Sequence, residues 1–172
     1  MKVSELTGHP ENSKIYQDTD LTDLKNSLSI YGQLEPIVIT KSKRIISGHR
    51  RFAAIKSLEW DECDIRYIET DNEIISLIEH NRHRQKTTQD ILNESRILEK
   101  ELRKTVGRGR SATKNRVGEE KSKRMTMASE IAQKLNVGTT QLKQIQSIAR
   151  YDESLLTKVD TGELSVSKAY KQ

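Results

Sequence analysis

The arrangement in this chain best suited to chemistry is Gly48-His49-Arg50-Arg51, which directly follows Arg44-Ile45-Ile46-Ser47. The β-branched pair Ile45-Ile46 reads as a short strand, and the residues from His49 through Ala53 and Ala54 read as a helix. A strand that turns through glycine into a helix leaves unpaired backbone N–H groups and the positive end of a helix dipole at the corner. Gly48 lets a ligand approach the backbone, and Arg50 and Arg51 can clamp phosphate oxygens. The expected chemistry is phosphate binding. The plain alternative is a solvated basic cluster.

Histidine offers a second chemistry. His49, His80 and His83 would suit a transition metal, and hence metal-assisted phosphodiester cleavage, if the segments that carry them met. No Asp or Cys is spaced to complete such a set, so no metal site is expected. The single cysteine, Cys63, excludes an internal disulfide. Its place in the alternating run Cys63-Asp64-Ile65-Arg66-Tyr67-Ile68 predicts a buried strand side chain rather than a nucleophile.

A third pattern lies near the C-terminus, where Ile131, Leu135, Val137, Leu142 and Ile145 have the spacing of a helix-turn-helix. Ala132 is the small residue where two helices cross, and Asn136 can take the left-handed turn between them. The exposed face of the second helix would carry Thr139, Thr140, Gln141, Lys143, Gln144 and Ser147, groups suited to base edges and phosphates. A helical hairpin used only for packing is the alternative.

These groups must be positioned by modest cores. Of 172 residues, 33% are hydrophobic and 4% aromatic, enough for small bodies joined by polar segments. No apolar run approaches the roughly 18 residues of a membrane span, and no hydrophobic leader opens the chain. A cytoplasmic protein without membrane contact is expected.

Charge is concentrated in residues 107–124. There Arg108, Arg110, Lys114, Arg116, Lys121, Lys123 and Arg124 face only Glu119 and Glu120, an excess equal to the whole net charge of +5. This stretch reads as a flexible linker, either a solvated tether or a basic arm that lays Arg108, Arg110, Lys123 and Arg124 along nucleic-acid phosphates.

Upstream of it the pattern mixes α and β. Leu21, Leu24, Leu28 and Tyr31 recur at helical spacing, with Asp20 or Thr22 as cap and Gly32 as terminator. Pro36-Ile37-Val38-Ile39-Thr40 reads as a strand, Lys41-Ser42-Lys43 as a turn, and 44–47 as the antiparallel partner. The helix opening at the cradle ends near Leu58, a strand covers 63–68, and Ile74, Ile75, Leu77 and Ile78 mark a short helix. An amphipathic helix over 88–104 carries Ile91, Ser95, Leu98 and Leu102 on one face.

Three ordered segments, Gly32-Gln33-Leu34-Glu35-Pro36-Ile37-Val38, Gly48-His49-Arg50-Arg51-Phe52-Ala53-Ala54 and Asn81-Arg82-His83-Arg84, resemble the N-terminal domain of ParB-type partition proteins. That family shows G-x-x-x-P-[IV], G-E-R-R-x-x-A and E-N-x-x-R in this order. The tail, with Gly162-Glu163-Leu164-Ser165 and Ala169, is similar to the stretch after the ParB helix-turn-helix. The resemblance implies a fold shared with sulfiredoxin and a cytidine nucleotide pocket formed by Gly32, Gly48, Arg50, Arg51, Asn81 and Arg84, with His49 in the same turn. His49 and His80 stand where the family has glutamates. Neutral imidazole is a poor Mg²⁺ ligand, so Mg²⁺ is not expected with the nucleotide.

The expected fold class is α+β: a small ParB/sulfiredoxin-like mixed-sheet domain followed by an all-α helix-turn-helix domain. The expected division is 1–86 for the nucleotide or phosphate domain, 87–106 for a connecting helix, 107–124 for the basic linker and 125–172 for the DNA-binding domain. Because the chain stops at Gln172, a C-terminal dimerisation domain is expected to be lacking, as in a short phage or mobile-element member. The expected partners are DNA, CTP or another nucleotide, and a second copy forming a homodimer on a palindromic site. The expected role is partition, plasmid or phage maintenance, or transcriptional control. The competing expectation is a nuclease or phosphotransferase that uses the same cradle, since fold alone does not decide function.

Overall fold

The computed structural model describes residues 1–16, 20–109 and 126–171, with side chains followed to residue 104 in the middle stretch. Two compact units divide the chain, Met1–Asn81 and Arg82–Gln172.

The first unit is a small mixed sheet wrapped in helices. After a 3-10 turn at Val3–Glu5 come β1 (Thr7–Gly8), α1 (Asn12–Ile15), α2 (Thr22–Tyr31), β2 (Ile37–Ile39), β3 (Arg44–Ser47), α3 (His49–Ser57), β4 (Ile65–Tyr67) and α4 (Glu73–His80). The strands lie in the order β1-β3-β2-β4. β2 and β3 form the expected antiparallel hairpin, with Val38 opposite Ser47 and Ile39 opposite Ile45. Lys43 closes its turn with a φ of 62°, its N–H donating to the Thr40 carbonyl at 2.9 Å. β4 runs parallel to β2 and β1 parallel to β3. Neither β1 nor α1 is anticipated by the sequence pattern, because two- and four-residue elements are too short to express a period.

All three β2 residues are buried, the signature of a strand covered on both faces. Ile37, Ile39 and Ile45 join Leu28 of α2, Ala54 and Ile55 of α3, and Val3, Leu6 and Cys63 in one core. Val38 and Ile46 alternate to the opposite face, where α4 packs on β3 and buries Leu77 and Ile78. β4 is shorter than the expected 63–68. Cys63 is buried as expected but lies before the strand, exchanging hydrogen bonds with Met1 (2.9 Å each way).

The second unit is helical: α5 (Thr88–Gly109), α6 (Met127–Leu135), α7 (Thr139–Tyr151), α8 (Ser154–Asp160) and α9 (Val166–Lys171). The expected stripe Ile91, Ser95, Leu98 and Leu102 of α5 is buried, and α5 packs against α6, α7 and α8. This helix is therefore built into the second body, and it runs on to Gly109. Its start is closed from within. The Asp160 carboxylate accepts the Thr88 N–H and hydroxyl, both at 2.7 Å, and the Gln89 N–H at 3.3 Å. Lys86 and Glu94 form an ion pair at 2.8 Å with side chains only 5% and 0% exposed. Between α6 and α7, Asn136 takes the left-handed turn at φ 57°. Ile131, Ala132, Leu135, Leu142, Ile145 and Ile148 are buried around that crossing.

Candidate functional site

The corner between β3 and α3 is formed by a backbone conformation that L side chains resist. Gly48 has φ 96° and ψ 22° and is the residue before the first turn of α3. The first intrahelical bond runs from the Phe52 N–H to the Gly48 carbonyl at 2.8 Å, so the amides of His49, Arg50 and Arg51 lack acceptors within the helix. No side chain caps this end. By contrast, α4 and α6 are capped by Asn72 and Thr126, whose oxygens lie 3.0 and 3.2 Å from the amides of Ile75 and Ser129. The cradle thus combines open amide donors with two guanidinium groups, the donor set an anion requires.

Both arginines are anchored to carbonyl oxygens. Arg51 donates from an Nη to the Pro36 carbonyl at 3.2 Å, and the same guanidinium would stand 3.1 Å from a Cβ placed on Gly48. Burial lowers the Arg51 pKa from its ordinary value, against which Glu35 raises it. Arg50 is exposed and donates to the Asp20 carbonyl at 3.0 Å. Arg51 thereby braces α3 against the entry to β2, and Arg50 braces it against Asp20, two residues before α2. Gly32 ends α2 at φ 72° with open space around its Cβ position. Its requirement is conformational.

His49 turns inward from the cradle. Its Nε2 accepts the His9 backbone N–H at 3.2 Å, while Nδ1 of His9 accepts the Glu11 N–H at 3.2 Å. The His9 Nε2 stands 3.7 Å from Glu73, and Glu73 pairs with Arg44 at 2.6 Å. Burial, reinforced by the charge of His9, holds the His49 imidazole down at about 4, so it is neutral near pH 7. The neighbour of His49 is therefore His9, which no expectation included. His9 follows a two-residue strand, and no pattern in the sequence points to it. Among the described residues, no group of three His, Cys, Asp or Glu side chains is placed to hold a metal ion.

Asn81 ends α4, its side-chain amide donating to the Leu77 carbonyl at 2.8 Å. The boundary between the units falls directly after it, and Arg84 belongs to the second unit. Gly32, Gly48, His49, Arg50, Arg51 and Asn81 all lie in the first.

On α7, Thr140, Gln141 and Lys143 are exposed and Thr139, Gln144 and Ser147 half-buried, while Leu142, Ile145 and Ile148 face the core. Gly138 precedes the helix, and no side chain caps it. Arg108 falls in the last turn of α5; its side chain, like the whole of Arg110, Lys123 and Arg124, lies outside the described residues. Among the described residues, no helix is long and apolar enough to cross a membrane.

Comparison with known proteins agrees with this architecture. The nucleoid occlusion protein of Lysinibacillus sphaericus (strain C3-41) is 29% identical over 118 residues, covering 60% of this chain and 39% of that protein. The chain thus spans about two-fifths of the length of that relative. A Pnob8-like ParB-N domain superimposes with a TM-score of 0.66 at 14% identity, over 99% of this chain and 76% of that one. The C-terminally truncated chromosome-partitioning protein ParB of Caulobacter crescentus, complexed to the centromeric parS site, gives 0.60 at 16% identity, over 98% and 81%. At such identities the two structures speak to fold. Residues 1–88 match the ParB N-terminal domain, and with half of the chain so matched and the mixed α+β fold in place, the chain belongs to the ParB N-terminal domain family.

Proposed function

We propose that this protein binds DNA through α6 and α7 as a helix-turn-helix and binds a nucleotide phosphate at the 48–51 cradle. CTP is the first candidate, by the family motifs. The observation that carries the DNA reading is the division of α7. Leu142, Ile145 and Ile148 fix one side of it in the core, leaving Thr140, Gln141 and Lys143 exposed on a rigid helix whose first amides are uncapped. That is the donor set for base edges and phosphates in a major groove. Family membership and the likeness of fold to a ParB bound to parS support this reading.

The nucleotide reading is supported by the left-handed Gly48, the uncapped first turn of α3 and the adjacent guanidinium groups. For a phosphate to use Arg51, the guanidinium exchanges the Pro36 carbonyl for a charged oxygen, the stronger of the two acceptors. His49, neutral and committed to His9, positions β1 beside α3 and leaves the phosphate to the amides and arginines. A homodimer on a palindromic site, acting in partition, plasmid or phage maintenance, or transcriptional control, completes the proposal.

Two measurements test it. In a gel shift against genomic fragments, affinity should fall steeply with salt; no retardation at low salt would remove the DNA reading. Calorimetry with CTP, ATP and GTP should give heat with wild type that is lost in Arg51→Ala. Absence of heat with every nucleotide would remove the cradle.

A further inference from the structure

The groove between α5, α6 and α7 is rimmed by positive charge that the reading face of α7 does not account for. Arg96 and Arg103 of α5 and Arg150 of α7 line it over a floor of Leu92, Ile131 and Ala149. All three arginines are exposed. Arg96 holds Glu153 at 3.1 Å and Arg103 holds Glu99 at 2.6 Å. Pairs this open to water are weak, and a second anion can take over either guanidinium. Arg150 makes no ion pair with a described residue.

Arg150 is also aligned with the exposed face of the proposed reading helix. At 3.6 residues per turn, Lys143, Ser147 and Arg150 fall in one stripe, opposite Leu142, Ile145 and Ile148. Arg150 therefore continues the exposed face of α7, about 16 Å along the axis from Thr139. A major groove is about 12 Å wide, so a helix lying across it carries its last turn past the edge and onto the far backbone. Arg96 and Arg103, two turns apart on α5, line the same groove as Arg150. Carboxylates of the chain already occupy both, which shows that oxyanions fit there.

We propose that this arginine-rimmed groove is a clamp for DNA backbone phosphates, independent of base sequence and separate from the base-reading residues of α7. The inference rests on α7 being a DNA-contacting helix. In the bound state phosphate oxygens displace Glu153 and Glu99 from Arg96 and Arg103 and engage Arg150, each contact releasing condensed counterions.

The test is fluorescence anisotropy of a fluorescein-labelled duplex of mixed sequence with the full chain, titrated from about 50 to about 200 mM KCl. Three phosphate contacts contribute about 2.7 to the log–log salt slope. Replacing Arg96, Arg103 and Arg150 together by glutamine should remove that amount, and the ratio of wild-type to variant affinity should be about 40-fold larger at the low-salt end than at the high-salt end. A charge-matched control replaces Lys158, Lys168 and Lys171 of α8 and α9 by glutamine and should leave most of the slope in place. Circular dichroism checks that the helices persist. If the triple variant fails to fold, Arg150→Gln alone decides the matter through a slope change of about 0.9. An unchanged slope in the arginine variants, or an equal change in the lysine control, overturns the clamp while leaving DNA binding by α7 intact. Failure of the wild type to bind the duplex even at low salt removes the underlying reading, and the clamp with it.

Discussion

Replacing His49 by glutamine should flatten the acid limb of unfolding of the first unit. The imidazole Nε2 is an acceptor for the His9 N–H, so it can keep that bond only while unprotonated. Burial and the neighbouring His9 hold its pKa at about 4, against 6.5 for the free side chain. Because the folded value is depressed, the unfolded chain binds the extra proton more readily. Stability is complete above the unfolded value and is lost as pH falls from about 6.5 toward about 4. Across the full window the loss is about 3 kcal/mol, of which about 2.5 kcal/mol has accrued by about pH 4.5. His9, also lowered chiefly by burial and partly restored by Glu73, drifts in the same direction but is present in both proteins. Glutamine can accept the His9 N–H without titrating, so the difference between the two proteins isolates His49. Trp60 is the only tryptophan and packs against the core of the first unit, which lets urea melts followed by its fluorescence report on that unit. Melts at several pH values should show the wild type falling below His49→Gln by about 2.5 kcal/mol between about pH 7 and about pH 4.5. Superimposable pH profiles would refute the reasoning.

Gly48→Ala forces a side chain into φ 96° and places its Cβ 3.1 Å from the Arg51 guanidinium; it should cost the first unit about 1–2 kcal/mol in the same fluorescence melt and weaken any nucleotide heat. An unshifted midpoint would show that the corner relaxes freely. Asp160→Ala uncovers the Thr88 and Gln89 amides and the Thr88 hydroxyl, and should lower the thermal midpoint of the helical unit by the equivalent of about 1–2 kcal/mol in far-UV circular dichroism. Equal midpoints would mean that water replaces this cap at no cost.

Legibility of the fold tracked the length of each element. The hairpin of β2 and β3, α3 and the buried stripe of α5 were readable because consecutive β-branched residues and helical spacing record burial directly. Asn136 and Gly48 were readable because few residue types tolerate their backbone angles. β1, α1 and the parallel pairing of β4 with β2 left no such record. At the cradle, residue types pointed to Arg50 and Arg51. Their carbonyl partners, Asp20 and Pro36, lie 30 and 15 residues away in sequence and are set by backbone placement alone.

What the sequence determined by itself was the local conformation and the inventory of donors: a glycine that must turn left-handed, a helix start rich in arginine, and a polar helix face set against an apolar one. Only the tertiary structure decided which way each group points. His49 leaves the cradle for His9, and Asp160 closes a helix that begins 72 residues earlier. The physical reason is that periodicity and propensity act over a few residues, whereas a hydrogen bond between distant segments depends on how the cores bring them together.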